Sequence, residues 1–482
     1  MIANRFLPTD SVVRQLNQGL NVDHMKALFQ QRLFASSELQ IQHCAIDRIK
    51  YKPGKNCLVC YRLVIINRKT GLSVDRLLSA RFYESGGSLR RFKKAKLNNQ
   101  LFRQQATRSA ELLIHLSELD CVIWVFPNDR KLKSLALLNN EQRLQKIIFP
   151  GLIEQHWGEQ WKLMKLQSQR VHYLPEHTCC VRTQLILRHQ QTGESKIQLL
   201  YGKTYYNNQG CEAYKVMRQL WTSDVRKLGL LAIPQPVTYA AEHKMLWQHS
   251  VPGQPVLEWL KSDPVFYSRF DEIAEQVVAL HQSAIKVSKQ ITRTQLCQQL
   301  NTVVDLISLV MPDSHQSLES LVARLSNQQN CDTRRPEAIL HGDLHLKNML
   351  ADEQQIYLID LDDVHRGDPL QEIGSLIAAI LCQSVNQVFS QTDALRMIQL
   401  FLYHYQGLVS WRINPDDLRW YVAVALVNER ISRSISRLKE GRLQNIKRLL
   451  ALATEIATSQ EAPVWCDVNL SEQVMEVDRA VP

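Results

Sequence analysis

The sequence predicts an α+β chain in which one β-rich unit occurs twice in the front half and a mainly helical region fills the back half. Three observations predict it. Residues 51 to 83 overlie residues 173 to 205 without a gap, with 11 of 33 positions identical, where average composition would give about two. From about residue 262 the apolar residues change from strand-like alternation to helical spacing. Within that helical half, "HGDLHLKNMLADEQQIYLIDLDD" (341 to 363) interrupts the pattern with two short apolar runs around a polar turn.

In chain order, residues 1 to 45 predict a helical N-terminal segment. The first β-rich copy, 46 to 145, contains "YKPGKNCLVCYRLVIINRKTGLSVDRLLSARFY", and the second, 168 to 260, contains "YLPEHTCCVRTQLILRHQQTGESKIQLLYGKTY". Each reads as strand, Thr-Gly turn, strand, the pattern of an antiparallel hairpin. Tyr51 matches Tyr173, Pro53 matches Pro175, Cys57 matches Cys179 and Tyr83 matches Tyr205, and a weaker similarity runs on to Trp124 and Trp247. Two copies are too few for a solenoid, so duplication of a small domain is the better explanation. The helical lobe, 261 to 460, opens with "SDPVFYSRFDEIAEQVVALHQSAI", where a Ser-Asp cap and an early Pro precede Phe266, Phe270, Ile273, Val277 and Val278 on one face. Residues 461 to 482 read as an acidic tail.

Composition bounds the function. The chain has 482 residues, 22% charged and 45% hydrophobic, which is a folded protein too long for one ordinary domain. It has no apolar run of the roughly 18 residues a membrane span needs and no secretory signal near its start, so a cytoplasmic location is expected. The eleven cysteines show no disulfide framework and are expected as thiols. Cys57 and Cys60 form a C-x-x-C pair, but on a strand residues three apart face opposite ways, which suits burial rather than a metal. The net charge of +11 divides into +19 over residues 1 to 262 and −8 over the remainder. The densest basic cluster, "RRFKKAK" (90 to 96), reads as a solvated helix face and gives no specific nucleic-acid signal. Nothing in the sequence fixes an oligomeric state.

The interrupting stretch carries the chemistry. A hairpin over 348 to 360 brings its ends together and places Asn348 beside Asp360. A carboxylate and an amide oxygen are hard ligands suited to Mg²⁺ that keeps several waters and binds phosphates. Asp343, five residues before Asn348, is placed to orient a hydroxyl and accept its proton during attack on phosphorus. The expected chemistry is phosphoryl transfer.

These residues resemble the aminoglycoside phosphotransferase and choline kinase superfamily, whose fold is protein-kinase-like, with a β-rich N-lobe, a hinge and a helical C-lobe. The family pattern H-G-D-x-H-x-x-N is matched by His341, Gly342, Asp343, His345 and Asn348, and its metal-binding I-D-x-D by Ile359, Asp360 and Asp362. "GDPLQEIGSLIAAI" with Glu372 and "ALHQS" with His281 are similar to further family segments. The resemblance implies ATP and Mg²⁺, with Asp343 as the base, Asn348 and Asp360 on the metal, and His341, His345 and Asp362 in support. It also implies a strand lysine, Lys203, on the nucleotide phosphates, paired with Glu212 on the next helix. The hinge that reads adenine falls at Gln248, His249, Ser250 and Val251.

The first copy departs from that pattern, since Arg81 and Arg90 stand where the second has Lys203 and Glu212. Two arginines cannot form the ion pair, so the first copy is expected not to hold the nucleotide. The second copy's first hairpin lacks the glycine-rich sequence that covers phosphates, while the first keeps Gly54. "DLDD" runs almost directly into "GDP" with no long segment to dock a peptide, which favours a small hydroxyl-bearing acceptor such as an aminoglycoside, choline or a sugar. Trp411, Trp420 and Tyr421 are candidates for a choline cage, against core packing. The alternative is a non-catalytic, pseudokinase-like scaffold whose basic first lobe recruits an acidic partner.

Overall fold

A computed structural model describes residues 10–35, 38–98, 113–262, 264–328, 335–438 and 440–459. The expected acidic tail at 461 to 482 lies outside the described residues. The front half holds two five-stranded antiparallel sheets. In the first, β1 (Leu39–Lys52), β2 (Asn56–Asn67), β3 (Ser73–Phe82), β4 (Leu113–Leu116) and β5 (Cys121–Val125) lie in the order β1-β2-β3-β5-β4. In the second, β6 (Trp161–Leu174), β7 (Thr178–His189), β8 (Ser195–Tyr205), β9 (Pro236–Ala240) and β10 (Met245–His249) lie in the matching order β6-β7-β8-β10-β9.

The strand registers coincide at the offset the sequence repeat shows. Tyr51 opposes Cys57 as Tyr173 opposes Cys179, and Cys57 opposes Phe82 as Cys179 opposes Thr204. A bulge between Ile41 and His43 has its counterpart between Leu163 and Lys165. At the Thr-Gly turns Gly71 and Gly193 take φ of 71° and 72°, backbone that a residue without Cβ adopts freely. Cys57 and Cys60 are buried on β2, and burial pushes the Cys60 thiol up to about 12.

The recurring arrangement extends upstream of residues 46 and 168. Asp10 accepts the N–H groups of Val12 and Val13, the Tyr51 hydroxyl and the Gly54 N–H. Asp129 accepts those of Lys131 and Leu132, the Tyr173 hydroxyl and the Glu176 N–H. After each aspartate come a short helix, Leu16–Leu20 or Leu135–Leu138, and an asparagine cap, Asn21 on His24 or Asn140 on Arg143. The helix Val22–Leu33 then covers the first sheet, with Phe29 edge-on to Tyr61 at 5.1 Å, and Phe149–Trp157 covers the second, with Phe149 against Trp247 at 5.0 Å. Each ring so buried contributes about 1.5–3 kcal/mol. Strand periodicity cannot reveal an aspartate that holds a hairpin tip through its side chain.

The two sheets meet at the β6–β7 turn. Glu176, only 7% exposed and at φ 61°, accepts a two-point ion pair from Arg81 at 2.8 and 2.6 Å and a second from Arg130. Burial raises the Glu176 carboxyl, but the two guanidiniums outweigh it and hold it below the usual range.

Beyond β10, Gly253 turns the chain at φ 94°, where a Cβ would lie 2.3 Å from the Ala351 carbonyl oxygen. This close approach lets β11 (Gln254–Pro255) pair with β13 (Met349–Ala351), whose hairpin partner is β14 (Ile356–Leu358). β12 (Ala338–Leu340) pairs with β15 (His365–Gly367). Helices surround these hairpins: Arg293–Val310 starts at a Thr292 capping box, and Pro369–Val385 starts at an Asp368 cap with Pro in its first turn. Trp420 and Tyr421 are 1% and 4% exposed, and the Trp420 indole donates to the Leu325 carbonyl at 2.8 Å. They pack in the core and form no cage, and Trp411 lies half-buried against Tyr405.

Candidate active site

The hairpin β13–β14 lies where the polar turn predicted it. Its open end is closed by the Ile359 N–H donating to the Asn348 carbonyl at 2.9 Å, so Asn348 and Asp360 stand side by side. Asp360 takes the left-handed conformation at φ 62° and ψ 54°, an uncommon backbone for a non-glycine residue, held here by its surroundings. The Asn348 amide donates to the Asp343 carbonyl at 2.9 Å and ties the hairpin to the preceding loop.

Glu372 anchors that loop. Its carboxylate is buried and accepts the His341 N–H at 3.0 Å, the Gly342 N–H at 2.9 Å and His281 Nε2 at 3.0 Å. Burial raises the Glu372 carboxyl, and the His281 hydrogen bond leads the contributions that bring it below the usual range. His341, fully buried, has its Nε2 2.8 Å from the Ile359 carbonyl. A carbonyl only accepts, so Nε2 carries the proton and Nδ1 is left to accept the Asp343 N–H at 3.4 Å. Gly342, at φ 82°, has no room for a side chain, because a Cβ would lie 2.3 Å from the Asp363 carbonyl oxygen.

Asp343 is presented at the end of this scaffold. Arg433, from the helix Ser432–Arg437, donates to its Oδ1 at 2.8 Å, and His345 Nε2 lies 3.8 Å from its Oδ2. Burial, with Arg430 and Arg433 adding, outweighs the pull of Asp343 and pushes His345 down to about 4. A neutral His345 whose Nδ1 accepts the Lys347 N–H at 3.2 Å carries its proton on Nε2, facing Asp343.

The second sheet reaches across to this site through Lys203. Its ammonium donates to Asp360 Oδ1 and Asp362 Oδ2, both at 2.6 Å, and the Tyr205 hydroxyl donates to Asp362 Oδ1 at 2.8 Å. Burial works against the charged lysine, but Tyr205, Asp362 and Asp360 raise it well above its ordinary value. The two carboxylates part company: burial raises both, yet Lys203 brings Asp360 below the usual range while Asp362, with the Asp360 charge beside it, stays above.

The expected Lys203–Glu212 ion pair is not formed. Glu212 is 61% exposed at the side chain and pairs with Lys215 at 2.8 Å. Its helix, Gln209–Thr222, packs Gly210 against the Tyr205 ring so closely that a Cβ would lie 2.4 Å away. That contact fixes the rotation and leaves Glu212 roughly a quarter-turn off the buried stripe. Gln209, one turn earlier, bonds instead to the Asp362 carbonyl and the Asp363 side chain at 3.4 and 3.3 Å. At the expected hinge, the His249 and Ser250 N–H groups donate to the Gln235 and Leu199 carbonyls within the sheet, and the Ser250 hydroxyl donates to the Val251 carbonyl.

Among the described residues no three His, Cys, Asp or Glu side chains converge as a metal-ligand set. Mg²⁺ that shares its shell with phosphates and water needs only one or two protein ligands, and the adjacent Asp360 carboxylate and Asn348 amide fit that need. Sequence reasoning missed Arg433, although arginines at 430, 433 and 437 share one helix face. It also missed Tyr205 as a site residue, although the repeat had paired it with Tyr83.

A model of the phosphotransferase enzyme family matches residues 207–404. A comparison with curated proteins finds no match. Among solved structures, the chain is similar to a thermostable mutant of an aminoglycoside phosphotransferase in ternary complex with ADP and hygromycin B, at 14% identity and TM-score 0.44, over 65% of this chain and 98% of that one. A putative aminoglycoside phosphotransferase from Ralstonia eutropha gives 14% and 0.46 over 64% and 96%. Choline kinase LicA from Streptococcus pneumoniae gives 12% and 0.42 over 65% and 99%. No helix among the described residues is long and apolar enough to cross a membrane. The matched residues include the stretch that presents Asp343, Asn348, Asp360 and Glu372.

Proposed function

We propose that the chain is an ATP- and Mg²⁺-dependent kinase that transfers the γ-phosphoryl group to a hydroxyl of a small molecule. The observation that carries this reading is the convergence of Lys203, from the second sheet, with Asp360 and Asp362 beside the loop that presents Asp343. Lys203 is the cation for the nucleotide phosphates, and the Val251 N–H, which has no backbone acceptor among the described residues, is the group at the hinge left to read the base. Asp360 and Asn348 would hold Mg²⁺, which when bound would neutralise charge on the phosphate oxygens. Asp343, steadied by Arg433, takes the acceptor proton as the new O–P bond forms and the bond to ADP breaks. His345, His341 and Glu372 hold the loop in place.

The same reading takes the two sheets as a duplicated N-lobe, supported by their common strand order, register and aspartate-held hairpins. The first then holds no nucleotide, because Arg81, at the Lys203 position, is committed to Glu176. A cytoplasmic location belongs to this reading as well. ADP release over a panel of hydroxyl compounds tests the activity, beside the rise in melting temperature that MgATP brings to a binding protein. Asp343→Asn is expected to abolish turnover and keep the MgATP shift, and turnover undiminished in that variant would refute the mechanism.

A further inference from the structure

A cavity of ≈ 830 Å³ lies between β1 of the first sheet, β6 of the second and the segment that follows the helix Ser432–Arg437. That volume is of the size that takes a small ligand. Its lining is strongly cationic, with Arg48 from β1, Arg170 from β6, and Arg437 and Arg442 from the C-terminal side. Arg62 also lines it but is already paired with Asp47 at 3.0 Å. The other four differ: among the described residues Arg48, Arg437 and Arg442 have no hydrogen-bond or ion-pair partner, and Arg170 only lies over the Phe126 ring at 4.5 Å.

Asp23 and Asp47 are the carboxylates of the lining, and Asp47 is taken up by Arg62, so five guanidiniums outnumber two carboxylates, repel one another and lose hydration. Arg437 shows the strain: burial, with Arg48, Arg433 and Arg442 adding, pulls it down to about 10. An arrangement that is unfavourable when empty of counter-charge becomes favourable with an anion inside, and planar guanidiniums match phosphate and carboxylate oxygens in pairs.

The cavity also neighbours the catalytic loop. Arg433 and Arg437 are one helical turn apart, roughly 6 Å along the helix, and Arg433 holds Asp343 at 2.8 Å. On the opposite wall, His172 lies in the fields of Arg48, Lys203 and Asp360 together. A molecule whose anionic groups sit among the arginines therefore extends its remaining atoms toward Asp343.

We propose that this cavity is the acceptor subsite and that the acceptor is a hydroxyl compound bearing two or more phosphate or carboxylate groups. The inference rests on the kinase reading above and disfavours aminoglycosides and choline, whose positive charge the arginines repel. It also gives the first sheet a part in the site, since β1 supplies Arg48.

Fructose 1,6-bisphosphate serves as the probe, titrated into the full chain saturated with MgADP, with choline as the cationic control. The expected result is binding of the bisphosphate and none of choline, weakened about tenfold or more by Arg48→Gln/Arg437→Gln and changed less than about twofold by Glu212→Gln on the far exposed helix face. If the double variant loses its fold by circular dichroism, Arg442→Gln alone is expected to weaken binding at least about threefold. No bisphosphate binding, binding abolished by MgADP, or equal binding by wild type and the arginine variants would each overturn the inference while leaving the kinase reading intact. A wild-type melting temperature that MgADP does not raise overturns the nucleotide reading, and the acceptor assignment with it, whatever the cavity binds.

Discussion

Replacing Glu372 by Gln tests what holds the catalytic loop. The carboxylate accepts two backbone N–H groups, from His341 and Gly342, and one ring nitrogen, from His281, at 2.9 to 3.0 Å in a fully buried setting. Hydrogen bonds to a charged group are each worth about 1.5–3 kcal/mol, and a buried donor left without a partner loses its full desolvation energy. Gln keeps the shape, and with its oxygen where the His341 N–H and His281 Nε2 are accepted its NH₂ faces the Gly342 N–H, so one of the three bonds fails and the other two lose their charge. The loop should then lose about 3–4 kcal/mol of local stability, allowing for partial relaxation. A chain of several lobes does not unfold in one step, so the readout is hydrogen exchange over peptides spanning 339 to 350, which reports local opening. Protection there should fall about 10²- to 10³-fold, while peptides from β1 and β2 stay unchanged, and MgATP turnover should fall with it. Protection in 339 to 350 within about threefold of wild type would falsify the claim that Glu372 anchors the loop.

Four other outcomes are expected. Gly342→Ala forces a Cβ to 2.3 Å from the Asp363 carbonyl at a left-handed φ, so MgATP stabilisation should be lost with the far-UV spectrum retained, and an intact thermal shift refutes the fit. Glu176→Ala strands Arg81, whose side chain is 9% exposed, and should loosen the sheet junction by about 3–5 kcal/mol, read as lost hydrogen-exchange protection in peptides spanning 76 to 83 and 173 to 181, a loss below about 1 kcal/mol speaking against it. Lys203→Ala should remove the MgATP thermal shift while leaving the fold intact, since Asp360 and Asp362 are then free to hydrate. Burial and neighbouring His156, whose Nε2 lies 3.2 Å away, push His249 down to about 4 from an ordinary 6.5. The unfolded chain then binds the extra proton between those values, so stability is full above about pH 6.5 and falls as pH drops toward 4, by an amount that solvent screening of the part-exposed ring keeps to about 1–2 kcal/mol. His249→Gln should flatten that part of the pH curve.

The features legible in the sequence were those fixed by local pattern. The repeat at a constant offset foretold the register of β1–β2–β3 against β6–β7–β8, because a hairpin's register follows from its turn and its apolar alternation. The polar run between "NMLA" and "IYLIDL" foretold β13–β14, and with it the adjacency of Asn348 and Asp360. Relations set by packing between distant elements were not legible. Lys203 and Glu212 have the right spacing for an ion pair, but Gly210 against Tyr205 fixes the helix rotation that turns Glu212 outward, and no one-dimensional pattern encodes that contact. Arg433 reaches Asp343 across 90 residues, so its role becomes visible only once the helix Ser432–Arg437 is packed against β1.

The comparison of Arg81 with Lys203 shows how one β-rich frame can support two roles. At the second sheet a flexible lysine reaches two carboxylates of the helical region, a geometry suited to handing its charge over to phosphates. At the first sheet the corresponding arginine is planar and bidentate, and it meets Glu176, which stands at the turn position that Gly54 occupies in the first hairpin. A glycine there leaves the turn's backbone open, whereas a glutamate with the same left-handed φ sends a buried carboxylate into the neighbouring sheet. Two residue differences thus put a permanent joint in the first sheet where the second has a lysine reaching Asp360 and Asp362. The joint ties together the two sheets whose strands β1 and β6 line the cavity, and a first sheet loosened by Glu176→Ala should carry Arg48 away from it. Bisphosphate binding should therefore weaken in that variant while MgADP binding, which the proposed function assigns to Lys203 and Asp360, is retained. Loss of MgADP binding instead would mean that the first sheet supports the nucleotide site directly.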